Sequence, residues 1–212
     1  MTKRRKNRLS FTTGRDTNMS TIMVFAGPNG SGKSTITGAI PSRGLYINAD
    51  EIQRRFQCSA LEAAQNAEKS REYCLKHSMD FTMETVLSTP RNIDLLCRAK
   101  EQGYYIICIF VLTCHPDINV QRVASRVARG GHDVPEEKIR SRYVRSLRNL
   151  SLLPELCNEL YVFDNSAPRE IGGPSLIIRF VQGDMELLPS SSWNMEMLEA
   201  LIEGRELAEY IK

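Results

Sequence analysis

The sequence predicts an open α/β sheet, mainly parallel, with helices on both faces. Three observations predict it. Apolar runs of strand length alternate along the chain with segments of helical periodicity. The run from Tyr104 to Leu112 is almost continuously apolar, as a strand buried on both faces of a parallel sheet must be. Directly after the first apolar run, Ile22–Ala26, residues Gly27-Pro28-Asn29-Gly30-Ser31-Gly32-Lys33-Ser34 read G-x-x-x-x-G-K-[ST]. That order of strand, glycine-rich turn and helix is a phosphate-binding loop, and it places the chain among the P-loop NTPases.

The elements follow in order. The loop leads into a helix from Thr35 to Ile40, whose N-terminus faces the bound anion. Leu45–Asn48 forms a short strand, and a second helix starts at Ala49-Asp50-Glu51 with Asp50 near its cap. Residues 59–78 space Ala60, Ala63, Ala64, Ala67 and Cys74 as one face of a long helix. Phe81-Thr82-Met83 is a third strand ending at Glu84. Pro90 opens a helix that runs to about Gln102 and stops at Gly103. The apolar Tyr104–Leu112 strand belongs centrally, beside the phosphate-loop strand. Helices then cover Pro116–Arg129 and Pro135–Leu150, interrupted by Gly130-Gly131-His132-Asp133. Leu160–Phe163 is a strand ending at Asp164-Asn165-Ser166. A loop with Pro168, Gly172, Gly173 and Pro174 leads to the strand Leu176–Phe180. A last helix, about 193–211, buries Met197, Leu198, Leu201, Ile202, Ala208 and Ile211.

At 212 residues, 42% of them apolar and 25% charged, the chain suffices for one substantial core. The expected organisation is a basic tail, 1–18, and a single domain, 19–212, with a lid at about 116–150. The tail holds Lys3, Arg4, Arg5, Lys6, Arg8 and Arg15 against Asp16, more than the whole chain's net +3, so the remainder is slightly acidic. This speaks against nucleic acid as the main partner, because the body lacks a basic field. Six cysteines show no C-x-x-C pair and no zinc spacing with histidine, as expected of a reducing compartment. No stretch reaches the roughly 18 apolar residues of a membrane span. Cytoplasm is the expected location.

The loop residues Gly27 to Ser34, with Thr35, predict binding of ATP. Lys33 reaches the β- and γ-phosphates, and the Ser34 hydroxyl is suited to Mg²⁺. Asp50 and Glu84 each follow a strand, at the sheet edge where the loop also lies. Two carboxylates there can accept the proton of an acceptor hydroxyl and hold that acceptor in line. A helix cap for Asp50 and a surface position for Glu84 are the plainer alternatives. Arg122, Arg126 and Arg129 share one helical face, with Val120, Val123, Ala124 and Val127 opposite. Past the glycine pair, Arg140, Arg142, Arg145 and Arg148 decorate the next helix, with Ile139, Tyr143 and Leu147 on its buried side. Two such helices form a lid able to bring guanidinium groups to a migrating phosphoryl group. A transporter-type ATPase would need an L-S-G-G-Q-like signature, which is absent, and Val162-Phe163-Asp164 lacks the glutamate that should follow a Walker B strand.

The series GPNGSGKST at 27–35, NAD at 48–50, METVLS at 83–88, GY at 103–104, RVASRVARGGHDVPEEKIRSRYVRSL at 122–147 and DNS at 164–166 resembles the zeta-toxin-like kinases. The resemblance implies an adenylate-kinase-like P-loop fold and transfer of the ATP γ-phosphate to a sugar hydroxyl of UDP-N-acetylglucosamine or a similar nucleotide sugar. NAD, a nucleoside or another nucleotide stays open as acceptor. It also implies a small antitoxin protein that blocks the ATP site. Carried over, Lys33 and Ser34 are the phosphate and metal residues, Asp50 the catalytic base, and Glu84 the acceptor-holding glutamate, with Thr85 and Ser88 beside it. Arg126 is the lid arginine. Where family members carry E-G-T-G-R this chain has Glu84-Thr85-Val86-Leu87-Ser88, and His132 stands where a second lid arginine is expected, leaving Arg140 or Arg142 to take its place.

Overall fold

The computed structural model describes residues 19–168 and 172–205. The basic tail 1–18, and Ala208 and Ile211 of the expected last helix, lie outside the described residues. Seven strands form one sheet in the order β2-β3-β1-β4-β5-β6-β7. These are β1 (Thr21–Ala26), β2 (Leu45–Ile47), β3 (Phe81–Thr85), β4 (Tyr105–Leu112), β5 (Glu159–Asp164), β6 (Ser175–Val181) and β7 (Asp184–Leu187). The pairs among the first five strands are parallel; β6 and β7 join antiparallel. β4 lies beside β1, as its apolar run requires, and all eight of its residues are buried.

Around the sheet run α1 (Lys33–Thr37), α2 (Ala49–Phe56), α3 (Ala60–Lys76), α4 (Pro90–Glu101), α5 (Pro116–Val127), α6 (Glu136–Leu150), α7 (Leu153–Leu156) and α8 (Met195–Glu203). Side chains alternate across β1, so Ile22, Val24 and Ala26 face one core while Met23 and Phe25 face another. The first core takes its helical side chains from α3, α4, α6, α7 and α8, including the fully buried Trp193 just before α8. The second takes Ile36 of α1 and Ile40. The helices are thus unevenly shared between the faces among the described residues. Every buried Ile or Leu of β4 contributes about 1.5–3 kcal/mol, which makes this strand the main anchor of the sheet.

Several expectations shift. α1 starts at Lys33 and is only five residues long, since Gly32 already occupies its N-cap. β3 runs through Glu84 to Thr85, because Phe25 and Ala26 of β1 continue to pair with them. The α2–α3 boundary falls at Ser59, whose hydroxyl and backbone exchange hydrogen bonds with Glu62 in a capping box. α7 and β7 have no counterpart in the expected series. One is a single turn, and the other is a short edge strand with mostly exposed residues that carry no apolar alternation.

Candidate active site

Parallel strands β1, β3 and β4 end on the same side of the sheet, and the connections that leave them build a cleft of about 1020 Å³. Its lining combines Asn29, Gly30, Gly32, Lys33 and Ser34 of the loop with Tyr46, Asn48, Asp50 and Glu51. Glu84, Thr85, Arg122, Arg126 and His132 complete its polar walls.

The loop holds its shape through close backbone approach. Gly30 and Gly32 have φ of +78° and +89°, and a Cβ on them would come within 2.5 Å of the Asn119 carbonyl oxygen and 2.1 Å of Asn165 Nδ2. Those asparagines brace the loop. Asn119 Nδ2 donates to the Asn29 carbonyl at 2.6 Å, and Asn165 Nδ2 donates to the Ser31 carbonyl at 2.8 Å. With these carbonyls held outward, the intervening N–H groups can turn toward an anion. Asn119 is itself fixed, since its Oδ1 accepts from the Thr113 hydroxyl and the Thr113 carbonyl accepts from Tyr143 Oη at 2.6 Å. Thr113 and Asn119 are fully buried.

Lys33 Nζ donates to the carbonyls of Gly27 and Pro28 at 2.7 and 3.1 Å. Burial pushes its pKa down from 10.5 to about 8, against the opposing pull of Glu84 and Asp50, while Arg126 adds to the lowering. All three charged groups are therefore near enough to act on the lysine. An ammonium poised at this value is stabilised by any incoming anion.

Asp50 is exposed in the first turn of α2 and is not the cap. Asn48 caps that helix, its Oδ1 accepting from the N–H of Asp50 at 2.9 Å and of Glu51 at 3.4 Å. The Asp50 carboxylate is thereby released to the cleft. Glu84 is half-buried, and its Oε1 accepts from Tyr46 Oη at 2.5 Å. Thr85 also lines the cleft, but its hydroxyl oxygen accepts from Leu87 N and Asn92 Nδ2, so it serves the turn into α4. Ser88 is buried and is not part of the cleft lining.

The expected lid has a small core of its own, Val123, Val134 and Ile139, while Ala124 and Val127 are exposed. Its tip is tied by Arg126 Nη2 donating to the His132 carbonyl at 2.7 Å; a Cβ on Gly131 would meet Arg126 Cγ at 2.5 Å, which explains glycine there. Its roots are fixed. Asn119 ties α5 to the loop, and Ser146 and Asn149 of α6 donate to the Val86 and Leu87 carbonyls. Arg142 reaches the loop, donating to Asn29 Oδ1 at 3.3 Å. Arg140 instead pairs with Asp117 and Glu136, and neither it nor exposed Arg129 lines the cleft.

Sequence reasoning passed over Tyr46 and Asn119. Each had a signal: Asn119 is a polar residue one turn before buried Val123, on the inward face of α5, and Tyr46 shares a sheet face with Thr82 and Glu84. Among the described residues, no group of three or more His, Cys, Asp or Glu side chains could by itself hold a metal ion, and no helix is long and apolar enough to cross a membrane.

Comparison with known proteins follows the same lines. The sequence model of the family described as Zeta toxin matches residues 10–167. An uncharacterised protein of Haemophilus influenzae is 29% identical over 127 residues, covering 57% of this chain and 91% of that one. Among solved structures, the AvrRxo1-ORF1:AvrRxo1-ORF2 complex with ATP aligns with a TM-score of 0.65 at 16% identity, over 90% of this chain and 66% of that chain. This chain thus spans just under two thirds of that protein's length. A structure of the PezAT chromosomal toxin–antitoxin system of Streptococcus pneumoniae aligns with a TM-score of 0.54 at 15% identity, over 93% of this chain and 88% of that one. At such identities the likeness carries the fold.

Proposed function

This chain belongs to the zeta toxin family, and on that premise we propose that it is an ATP-dependent kinase that phosphorylates a sugar hydroxyl of a nucleotide sugar such as UDP-N-acetylglucosamine. The observation that carries the reading is the convergence on Lys33 of Asp50, Glu84 and Arg126, each acting on its charge, in a cleft floored by the phosphate loop. A transporter-type motor carries its second carboxylate directly after the Walker B aspartate, where this chain has Asn165. The Asp50 and Glu84 carboxylates on the cleft wall are instead suited to deprotonate and to hold a hydroxyl acceptor.

In this mechanism the Asp50 carboxylate takes the proton of the acceptor hydroxyl as its oxygen forms a bond to the γ-phosphorus. The bond from that phosphorus to the bridging oxygen breaks, and ADP leaves with the electron pair. Glu84 accepts a hydrogen bond from the acceptor and holds it in line. Lys33 and Arg126 stabilise the charge on the migrating group, with Arg142 reaching the same loop through Asn29. The braced loop, and the Ser31 hydroxyl buried with no hydrogen-bond partner among the described residues, fit a polyphosphate and its counter-ion. Mg²⁺, when bound at the Ser34 hydroxyl, would neutralise phosphate charge. The PezAT likeness supports a small antitoxin protein as partner.

The test is incubation of the purified protein with ATP, Mg²⁺ and a panel of nucleotide sugars, dinucleotides and nucleosides, read by mass spectrometry for one added phosphate. A product from a nucleotide sugar, lost in Asp50→Asn, is expected. No phosphorylated acceptor, or full activity in that variant, refutes the mechanism.

A further inference from the structure

We propose that Tyr46 is a positioning residue that ties Glu84 to the cap of α2, so that the Glu84 and Asp50 carboxylates keep one fixed relative placement. The proposal rests on the kinase reading, in which Glu84 holds the acceptor and Asp50 takes its proton. The tie is built from neighbouring strands. Tyr46 pairs with Thr82 across β2 and β3, and Glu84 follows Thr82 by two residues, so all three share a face. Tyr46 Oη donates to Glu84 Oε1 at 2.5 Å and accepts from Asn48 Nδ2 at 3.3 Å. Asn48 in turn caps α2 through the N–H groups of Asp50 and Glu51. The result is an unbroken path from the Glu84 carboxylate to the backbone that carries Asp50.

Two further facts make the path matter. α2 buries none of its residues fully, and only half-buried Ala49 and Ile52 pack it on the first core. The phenol is pushed well above its ordinary range, by burial first and by the Glu84 carboxylate as well, with Asn48 opposing. Tyr46 therefore remains a donor across the working pH range. With Oε1 of Glu84 engaged, Oε2 is the oxygen left to receive the acceptor's hydroxyl.

Tyr46→Phe keeps the ring and removes the tie, and the test is a cycle with Glu84→Ala, which removes the acceptor oxygen, in the full chain. Tyr46→Phe is expected to lower kcat/KM for the acceptor roughly 10- to 100-fold while KM for ATP stays within about twofold. In the Glu84→Ala background the same change is expected to cost no more than about threefold, because the two residues act as a unit. A loss of equal factor in both backgrounds, or one shared by KM for ATP, overturns the proposal. Should the wild type phosphorylate no acceptor, the kinase reading fails, and the urea midpoints of the same four proteins decide the tie. Non-additive shifts support it; additive shifts overturn it.

Discussion

Lys33 should write its own signature into the pH dependence of the ligand-free protein. Its pKa is about 8 in the folded chain and near 10.5 in the unfolded one. Below pH 8 both states carry the proton, and the folded state bears the whole cost of a half-buried ammonium. Between 8 and 10.5 the folded state gives up the proton while the unfolded state keeps it, so stability rises with pH across this window. At 1.36 kcal/mol per unit the full rise is about 3 kcal/mol. Urea unfolding of wild type and Lys33→Met at pH 7.5 and pH 10 isolates it, because other titrating groups cancel in the difference. Wild type should gain roughly 2–3 kcal/mol on Lys33→Met between those values. An incoming phosphate restores the charged form, so ATP binding above pH 8 should take up a proton, and affinity should fall by up to about tenfold per pH unit there. Calorimetry in buffers of different ionisation enthalpy measures that uptake. A pH-independent difference between the two proteins, together with no proton uptake at pH 8.5, would refute the reasoning.

Other perturbations separate chemistry from scaffold. Asp50→Asn should lower phosphate transfer by about 10²–10⁴-fold, yet leave stability within about 0.5 kcal/mol, since Asn48 and not Asp50 caps α2; kinetics and urea midpoints check both. Asn119→Ala orphans the Asn29 carbonyl and leaves the Thr113 hydroxyl only its longer bond to the His115 carbonyl, and should destabilise the fold by about 1–3 kcal/mol and weaken ATP binding in titration calorimetry. Glu159→Ala should destabilise by about 3 kcal/mol, because the fully buried carboxylate accepts from Tyr105 Oη at 2.8 Å and Tyr161 Oη at 2.6 Å. It opens β5, at the opposite end of the parallel strands from the loop, so ATP affinity should be unchanged.

The phosphate loop was legible in the sequence because its chemistry is contiguous: glycines, lysine and serine act within eight residues on one strand–turn–helix unit. β4 was legible too, since burial on both faces leaves a run of apolar residues that no exposed element tolerates. Asp50 and Glu84 were visible as carboxylates at strand ends, but their environment was not. A cap for α2 could come from Asn48 or Asp50 on local sequence alone, and only the extended backbone at Asn48 assigned it. The arginines divide for a similar reason. Helical spacing puts Arg122, Arg126 and Arg129 on one face, while the cleft takes only the first two, because where α5 emerges from the sheet decides which turns look inward.

By itself the sequence determined strands β1 to β6 but not β7, together with the donor-side loop and the types of chemistry-bearing groups, since each rests on neighbours along the chain. Only the tertiary structure decided that Asn119 and Asn165 brace the loop, that Arg142 and not Arg140 reaches it, and that Tyr46 joins Glu84 to α2. Those are contacts between segments tens of residues apart, and the hydrogen bonds that make them depend on positions in space that no local pattern encodes.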